Sequence, residues 1–173
     1  MSYTNTNYIL LDAARMGADM ETAKRLNSTF GSLYLGESEE SLSAVAPYLF
    51  FCQEHSKFQK WVKENGWGNS WGTILHAMVP QSELQRHFRK FLIVKTYEKE
   101  EYYFRFYDPR VLKIFLPTCD KQQILEFFGP VKYFIVEGDT KKDAIKFWQE
   151  NGVLKQQKLA VGELFEENEQ VIQ

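Results

Sequence analysis

Cysteine is scarce in this chain, and the two that occur are not arranged for redox or metal chemistry. Cys52 and Cys119 form no CxxC pair and have no histidine-rich neighbourhood, so the usual sequence signatures of a zinc site or a redox pair are missing. Both lie in apolar surroundings. We therefore expect two free, buried thiols, which suits a reducing cytoplasm.

The chain also lacks an excess of basic charge and any long apolar run. It carries 21 Lys and Arg against 23 Asp and Glu, a net charge of -2, and its pI is near 6.0. Binding to nucleic acid or to an anionic membrane needs a clustered excess of Lys and Arg. No stretch approaches the length of a membrane span, and the first residues do not resemble a signal peptide. The sequence predicts a cytoplasmic protein with no nucleic-acid and no membrane partner.

Patterns typical of catalytic sites are missing as well. The three histidines, His55, His76 and His87, show no HxxxH or HExxH spacing, and there is no GxSxG motif or phosphate-binding glycine loop. Cys52 and His55 are close in sequence, but burial in the run PYLFFC would raise the thiol pKa and blunt a catalytic pair. We expect no catalytic residue, no metal site and no cofactor, and hence a protein that is not an enzyme.

What the sequence does contain is material for a packed α/β core. Hydrophobic residues make up 44% of the chain and aromatic residues 16%, enough for one domain of this length. Strand and helix patterns alternate, which favours a mixed β-sheet flanked by helices in a single compact domain. Strands are predicted at residues 8–12, 32–35, 48–51, 71–79, 92–97, 102–106 and 131–137. Helices are predicted at 19–27, 38–46, 56–65, 82–91, 109–116 and 121–128.

The composition shifts after residue 137, where the chain becomes more charged. We divide it into an α/β domain at 1–137 and a C-terminal part at 138–173 that packs on or extends from the same domain. The second part is predicted to hold a β-hairpin that turns at Asn151-Gly152. Its acidic end, 162–173, is either a short helix or a frayed tail that becomes ordered on a partner.

Several polar residues carry helix-start signals. Ser56 with Gln59, Ser82 with Gln85, and Asp120 with Gln123 have the spacing of capping boxes, in which two side chains satisfy free backbone amides reciprocally. Asp19 is a further candidate N-cap for the helix at 19–27.

The stretch from Tyr102 to Leu116 organises the remaining predictions. Its first half alternates aromatic residues on both faces of a strand, which predicts a strand inside the sheet. Arg105 in such a strand needs a carboxylate, carbonyl groups or a partner molecule. Asp108 is then a helix N-cap with Pro109 in the first turn.

Charged residues at predicted strand ends form a candidate cluster: Asp12, Arg15, Arg105, Asp108 and Arg110. Two interpretations remain open. The side chains satisfy one another and hold the sheet in register, or they bind a partner. Nothing among them supplies a nucleophile.

A second candidate feature is the loop GWGNSWG at residues 66–72, which holds Trp67 and Trp71 among three glycines. Glycine lets the backbone bend sharply while the indoles cover the surface. The loop is therefore either a structural plug or a ligand site.

These motifs together resemble a known family. The chain contains, in order, YILLDAAR, SLYLG, APYLF, GWGNSWG, LQRHFRKFLIV, FRFYDPRVLKIFL and FFGPV. Their order and spacing, from about Tyr8 to about Phe134, are similar to the effector chaperone or adaptor domain of type VI secretion systems, often called Tap or Tec. FRFYDPRVL is the most specific piece.

The resemblance implies an adaptor function. Such proteins bind a cognate toxic effector in the producing bacterium and help to load it onto the spike, a VgrG trimer or its PAAR tip. It also implies which residues match the family's motifs, as partner-binding or structural positions: Asp12, Arg15, Trp67, Trp71, Arg105, Tyr107, Asp108, Pro109 and Arg110. An immunity-like protein that binds a toxin to block it, and less readily a small-molecule enzyme, stay as alternatives.

Overall fold

The computed structural model describes residues 7–164 and confirms the predicted α/β class. The described strands are β1 (Asn7–Asp12), β2 (Phe30–Ser32), β3 (Pro47–Cys52), β4 (Gly72–Ala77), β5 (Ile93–Lys95), β6 (Glu101–Tyr103), β7 (Val131–Glu137), β8 (Asp143–Glu150) and β9 (Val153–Ala160). The α-helices are α1 (Ala13–Met16), α2 (Asp19–Leu26), α3 (Glu37–Ser41), α4 (Lys57–Gly66), α5 (Gln81–Arg89), α6 (Pro109–Phe115), α7 (Lys121–Phe128) and α8 (Val161–Leu164).

Seven of the strands form one sheet in the order β2-β3-β1-β4-β7-β8-β9, and β5 pairs with β6 in a separate two-stranded sheet. All pairings among the described strands are antiparallel, so the sheet is antiparallel rather than mixed in strand direction. The most central strands, β1 and β4, are buried along most of their length. They position the strand ends at which the candidate site lies.

One face of the large sheet is covered by α5, α6 and α7 through a cluster of phenylalanines. Residues paired in register share a face, so Tyr8, Leu75 and Phe134 point to the same side. The Phe134 ring lies 5.5 Å from that of Phe127 and 6.3 Å from that of Phe88. These two pairs are tilted, and Phe128 meets Phe134 edge-to-face; edge-to-face packing adds to the stabilisation from burial alone.

The opposite face is covered over β1 and β3 by α2 and α4. The ring of Phe58 in α4 stacks on that of Phe50 in β3 at 5.0 Å. The ammonium group of Lys24 in α2 lies 4.2 Å from the centroid of the Tyr48 ring. Together the two helix layers bury most of β1 and β3 on both sides, as the continuous apolar runs in these strands require.

The predicted position of the Tyr102 strand inside the sheet is wrong. The predicted antiparallel pairing with the preceding strand is present, but β5 and β6 form a hairpin outside the main sheet, and Tyr102 and Tyr103 are 54% and 60% exposed. The chain leaves β6 after Tyr103, and Phe106 then turns into the phenylalanine cluster. Alternation alone did not reveal that only the second half of the aromatic run is buried.

Three helices begin with the predicted caps: α4, α6 and α7. The Asp108 carboxylate accepts a bond from the Arg110 amide with Pro109 in the first turn, and Asp120 and Gln123 form a full capping box. Ser56 accepts from the Gln59 amide as predicted.

Other helix starts differ from the predicted caps. The Gln59 side chain bonds the amide of His55 rather than that of Ser56. The capping box at Ser82 is wrong, because α5 begins after Pro80 and the Gln85 side chain donates to the Ser32 carbonyl of another strand. The cap at Asp19 is wrong too, since Ala18 precedes α2 without a side-chain cap.

The predicted C-terminal hairpin is confirmed, with its turn at Asn151 and Gly152, which both have positive φ. Because β8 also pairs with β7, the hairpin continues the main sheet. The helix α8 covers the first part of the predicted acidic end, and residues 165–173 lie outside the described part of the chain.

The tight space around Gly72, where β4 lies against β1, generates a stability prediction. A Cβ at Gly72 would lie 2.0 Å from the Leu10 carbonyl oxygen, whereas a Cβ at Gly162 would meet nothing within 4 Å. We expect Gly72→Ala to lower the free energy of unfolding by about 2–3 kcal/mol, because β1 and β4 must separate. Gly162→Ala is the matched control and should change it by less than about 0.5 kcal/mol. Urea unfolding curves that shift equally for both would contradict the close approach.

Candidate functional site

Asp12 is the centre of the candidate site and is fully buried at the end of β1. Its backbone amide donates to the Trp71 carbonyl at 2.9 Å. One carboxylate oxygen accepts from the Ala14 amide at 3.0 Å and so caps α1. The other accepts from a terminal guanidinium nitrogen of Arg105. A buried carboxylate is tolerable because all of these groups converge on it.

Arg105 reaches Asp12 from the segment between β6 and α6, and its side chain is 41% exposed. Pairing with Asp12 raises the pKa of the Arg105 guanidinium. Close by, burial raises the pKa of the Tyr107 hydroxyl, and the charges of Tyr34 and Asp12 raise it further. The Tyr107 carbonyl also accepts from the Thr73 hydroxyl at 3.2 Å. The segment is thus bonded to both central strands.

Asp108 and Arg110 form a second ion pair two residues apart at the start of α6. The Asp108 carboxylate accepts from the Arg110 amide at 2.9 Å, from Nε at 3.0 Å and from Nη2 at 2.7 Å. Burial alone would raise the pKa of Asp108, but these bonds and the Arg110 charge hold it below its ordinary value. Asp108 is buried, whereas the Arg110 side chain is 54% exposed.

The tryptophan loop is built into the fold at the same end of the sheet. Trp71 is buried and packs against the Trp61 ring at 5.1 Å. The indole nitrogen of Trp67 donates to the Asp143 carbonyl at 3.3 Å. Arg15 donates from Nε to the Asn69 carbonyl at 2.9 Å. These contacts favour the structural plug over the ligand site that the sequence left open.

Glu137 was missed by the sequence analysis and holds this loop in place. Its carboxylate accepts from the Gly68 amide at 2.7 Å, from the Ser70 amide at 2.9 Å and from the Ser70 hydroxyl at 3.0 Å. Gly68 and Ser70 both have positive φ, a conformation that needs such support at a non-glycine residue. The available signal was an acid closing a buried strand, which alone does not identify its partners.

The structure brings together most of the predicted cluster at the ends of β1, β4 and β7. After its bond to Asp12, the charge of Asp108 also contributes to the raised pKa of Arg105. Besides Asp108, the charges of Asp12 and Glu137 contribute to the raised pKa of Arg110, so the five groups share one electrostatic neighbourhood. Arg15 joins this neighbourhood through its bond to the Asn69 carbonyl of the tryptophan loop. The Asp12 and Asp108 carboxylates are buried and paired with arginines, whereas Glu137 is half-buried and bonded to the tryptophan loop. Arg105 and Arg110 each keep an exposed side that a partner could contact.

Comparison with known proteins places this architecture in a family. A family model described as a domain of unknown function, DUF4123, matches residues 7–126, more than half of the chain. The chain belongs to the DUF4123 family. No curated protein and no solved structure matches it significantly. The matched region of this DUF4123 domain contains every site residue predicted from sequence, whereas Glu137 lies beyond it.

A separate groove of about 280 Å³ lies elsewhere on the DUF4123 domain and contains none of the predicted site residues. Its apolar part includes Ile9, Ile74 and Ile135. At its side, the Lys146 ammonium group lies 4.2 Å from the centroid of the Tyr133 ring. Among residues 7–164 no three His, Cys, Asp or Glu side chains are grouped as metal ligands, and no described helix has the length and apolarity needed to span a membrane.

The two cysteines of the DUF4123 domain are free. Cys52 is buried as expected, but Cys119 is only half-buried. Burial, with a smaller contribution from Glu54, raises the pKa of the Cys52 thiol to about 12. The nearby His55 engages Gln59 through its backbone amide. Burial is therefore the physical reason to expect low reactivity of the Cys52 thiol.

The buried ion pair of the DUF4123 domain should matter more to stability than an exposed one. Asp12→Asn retains an oxygen for Ala14 but removes the charge opposite Arg105. We expect it to lower the free energy of unfolding by about 2–3 kcal/mol, less than for a fully buried pair because Arg105 is partly exposed.

The matched control is Glu101→Gln, which removes an ion pair between Glu101 and Lys95 at 3.1 Å on the exposed hairpin. This change should cost less than about 0.5 kcal/mol. Equal losses in chemical denaturation would show that Asp12 contributes no more than a surface charge.

Alkylation rates test the Cys52 environment. In a Cys119→Ser variant at pH 8, a thiol pKa near 12 instead of about 9 leaves roughly a thousandfold less thiolate, so iodoacetamide should label the folded chain far more slowly than the urea-unfolded chain. The folded state favours the neutral thiol, so this contribution to stability is complete below about pH 9 and is lost as the pH rises toward 12. Similar labelling rates in both states would refute the assignment.

Proposed function

We propose that this protein is a type VI secretion effector adaptor, which binds a cognate toxic effector in the cytoplasm and helps to load it onto a VgrG or PAAR spike component. Support comes from the motifs that resemble this family, from membership of the DUF4123 family over the same residues, and from one feature of the surface. In this proposal the protein is a binding protein and not an enzyme.

The observation that carries the proposal is the exposed apolar hairpin β5–β6. Register places Val94 opposite Tyr102 on one face and Ile93 opposite Tyr103 on the other, and all four side chains are exposed. Tyr97 at the turn is fully exposed. Contiguous apolar surface with a charged rim is typical of protein-interaction sites, and tyrosine is among the residue types that contribute most to interface energy.

The base of the hairpin is fixed to the body of the domain. The Phe104 amide donates to the Leu92 carbonyl at 2.9 Å, which continues the ladder toward the core. Phe104 packs edge-to-face on Phe115 of α6 at 4.7 Å, and the Tyr103 ring lies 6.1 Å from that of Tyr34. A rigid base with an exposed tip presents the apolar surface without the cost of ordering it on binding.

The ion pair between Asp12 and Arg105 supports this surface. Arg105 lies directly after Phe104, and its bond to Asp12 fixes the point at which the hairpin returns to the sheet. The exposed sides of Arg105 and Arg110 add donors for an acidic group of the effector, because guanidinium groups bind carboxylates in two-point geometry.

A tagged pull-down from a strain with an intact type VI system, followed by mass spectrometry, tests the proposal. The wild-type chain should recover one effector together with a VgrG or PAAR component. A Val94→Ser and Tyr102→Ser double variant should recover the effector at least about tenfold less, since two exposed interface side chains of this type contribute more than 1.4 kcal/mol.

The control is Ile114→Ser, which removes an even more exposed apolar side chain from α6. It should leave recovery unchanged, and circular dichroism should show all three proteins folded. Recovery of neither effector nor spike component by abundant, folded wild-type protein would refute the adaptor function. Protection of a target cell that lacks the secretion apparatus would instead identify an immunity protein.

A further inference from the structure

The strand β9 forms one end of the main sheet, and no other described strand pairs with its outer edge. It is eight residues long, whereas the opposite end of the sheet is the three-residue strand β2. Most of its residues are exposed. A long strand edge offers a row of amide and carbonyl groups to a second chain, and natural proteins usually shorten or cover such edges.

The alternation of hydrogen bonds along β9 identifies which of its backbone groups face away from β8. The Val161 amide donates to the Lys142 carbonyl at 2.9 Å, in line with the register that pairs Asp143 with Ala160. Odd-numbered residues of β9 therefore bond to β8, because every second residue in an antiparallel ladder exchanges both bonds with its neighbour. The outward amides and carbonyls belong to Leu154, Gln156, Lys158 and Ala160.

A pocket adjoins this edge. It has a volume of about 230 Å³ and is lined by Ile145 of β8, by Gln156, Gln157 and Lys158 of β9, and by Gly138 and Asp139 of the connection before β8. Two of its residues, Gln156 and Lys158, are those whose backbone groups face outward. A strand added at this edge would therefore have a side chain next to the pocket, and such pockets supply specificity in strand addition.

The charge of the edge indicates the type of partner. The strand VLKQQKLA has two lysines and no acid. Lys158 is paired with Asp143 at 3.4 Å, and Lys155 lies on the other face of the sheet opposite Trp148. Edge lysines discourage pairing between two copies of the same chain, while an acidic segment is attracted.

We propose that the outer edge of β9 binds an extended, acidic segment of a partner protein by β-strand addition, with one apolar side chain of that segment in the pocket over Ile145. The inference rests on the proposed function only for the identity of the partner, the effector or the spike component. It gives the adaptor a second contact surface on a different part of the chain from the hairpin.

Selection from a library of random twelve-residue peptides displayed on phage, against the immobilised full chain, provides the probe. Enriched sequences should be acidic, with an apolar residue at a fixed position. Amide hydrogen exchange by NMR then locates the bound peptide. In the free chain the amides of Leu154, Gln156, Lys158 and Ala160 should exchange quickly and their odd-numbered neighbours slowly. The peptide should protect the even-numbered amides.

Two variants at one position separate backbone from side chain. Gln156→Pro removes an outward amide without breaking the bonds to β8, since proline is tolerated at an edge when its nitrogen faces away from the sheet. Affinity for the selected peptide should fall about tenfold or more, because a main-chain bond and close approach of the strands are lost. Gln156→Ala keeps the amide and should change affinity less than about threefold. Lys155→Glu should weaken binding of acidic peptides through charge repulsion.

Three results would overturn the proposal. These are enrichment of no peptide, equal peptide affinity for Gln156→Pro and the wild type, and even-numbered amides that are already protected in the free chain. The last result would mean that the edge is occupied by another part of this chain or by a second copy, and size-exclusion chromatography with light scattering would tell these apart. The assay uses the chain alone, so its failure is distinct from failure of the pull-down that tests the adaptor function.

Discussion

The buried carboxylate of Asp12 is the constraint on which the rest of the structure depends. A charge removed from water must have partners, and those of Asp12 come from separate parts of the chain: the Ala14 amide in α1 and the Arg105 guanidinium 93 residues later. Its own amide is bonded to the Trp71 carbonyl. One residue thus joins the first strand, the first helix, the tryptophan loop and the segment that leads into α6.

The aromatic core makes this polar junction rigid. Phe106 lies one residue after Arg105 and packs against Phe88 and Phe127, so the backbone that carries the arginine is fixed by ring packing. At the same end of the sheet, Glu137 holds the tryptophan loop by accepting bonds from the amides of Gly68 and Ser70. Polar bonds at the strand ends and apolar packing beneath them support the same geometry, which is the condition for a uniquely folded platform.

One proposed contact surface lies within the part of the chain that matches the family, and the other lies beyond it. The hairpin β5–β6 lies within residues 7–126, which match the DUF4123 family. The strands β7, β8 and β9 follow that match. In the proposed adaptor, the hairpin contact therefore lies within the family match and the β9 contact lies beyond it.

Local chemistry was determined by the sequence itself. The Asp108 and Asp120 caps, the Asn151-Gly152 turn and the strand at Tyr8 to Asp12 all depend on residues a few positions apart, so their patterns predicted them correctly. The charged cluster was also recognisable, because an arginine in a predicted aromatic strand needs an acid, although the Arg105 side chain proves to be 41% exposed. The α/β class followed from the alternation of strand and helix patterns along the sequence.

Tertiary structure decided what lies far apart in sequence. The aromatic run at Tyr102 had the pattern of an interior strand, yet Tyr102 and Tyr103 are exposed, because burial depends on which other strand is available for pairing. Gln85 had the spacing of a capping residue, but a carbonyl of β2 is its partner. Glu137 had only the signal of an acid at the end of a predicted strand, which does not identify its partners. Its role exists only because the fold brings the end of β7 beside a loop whose amides need an acceptor.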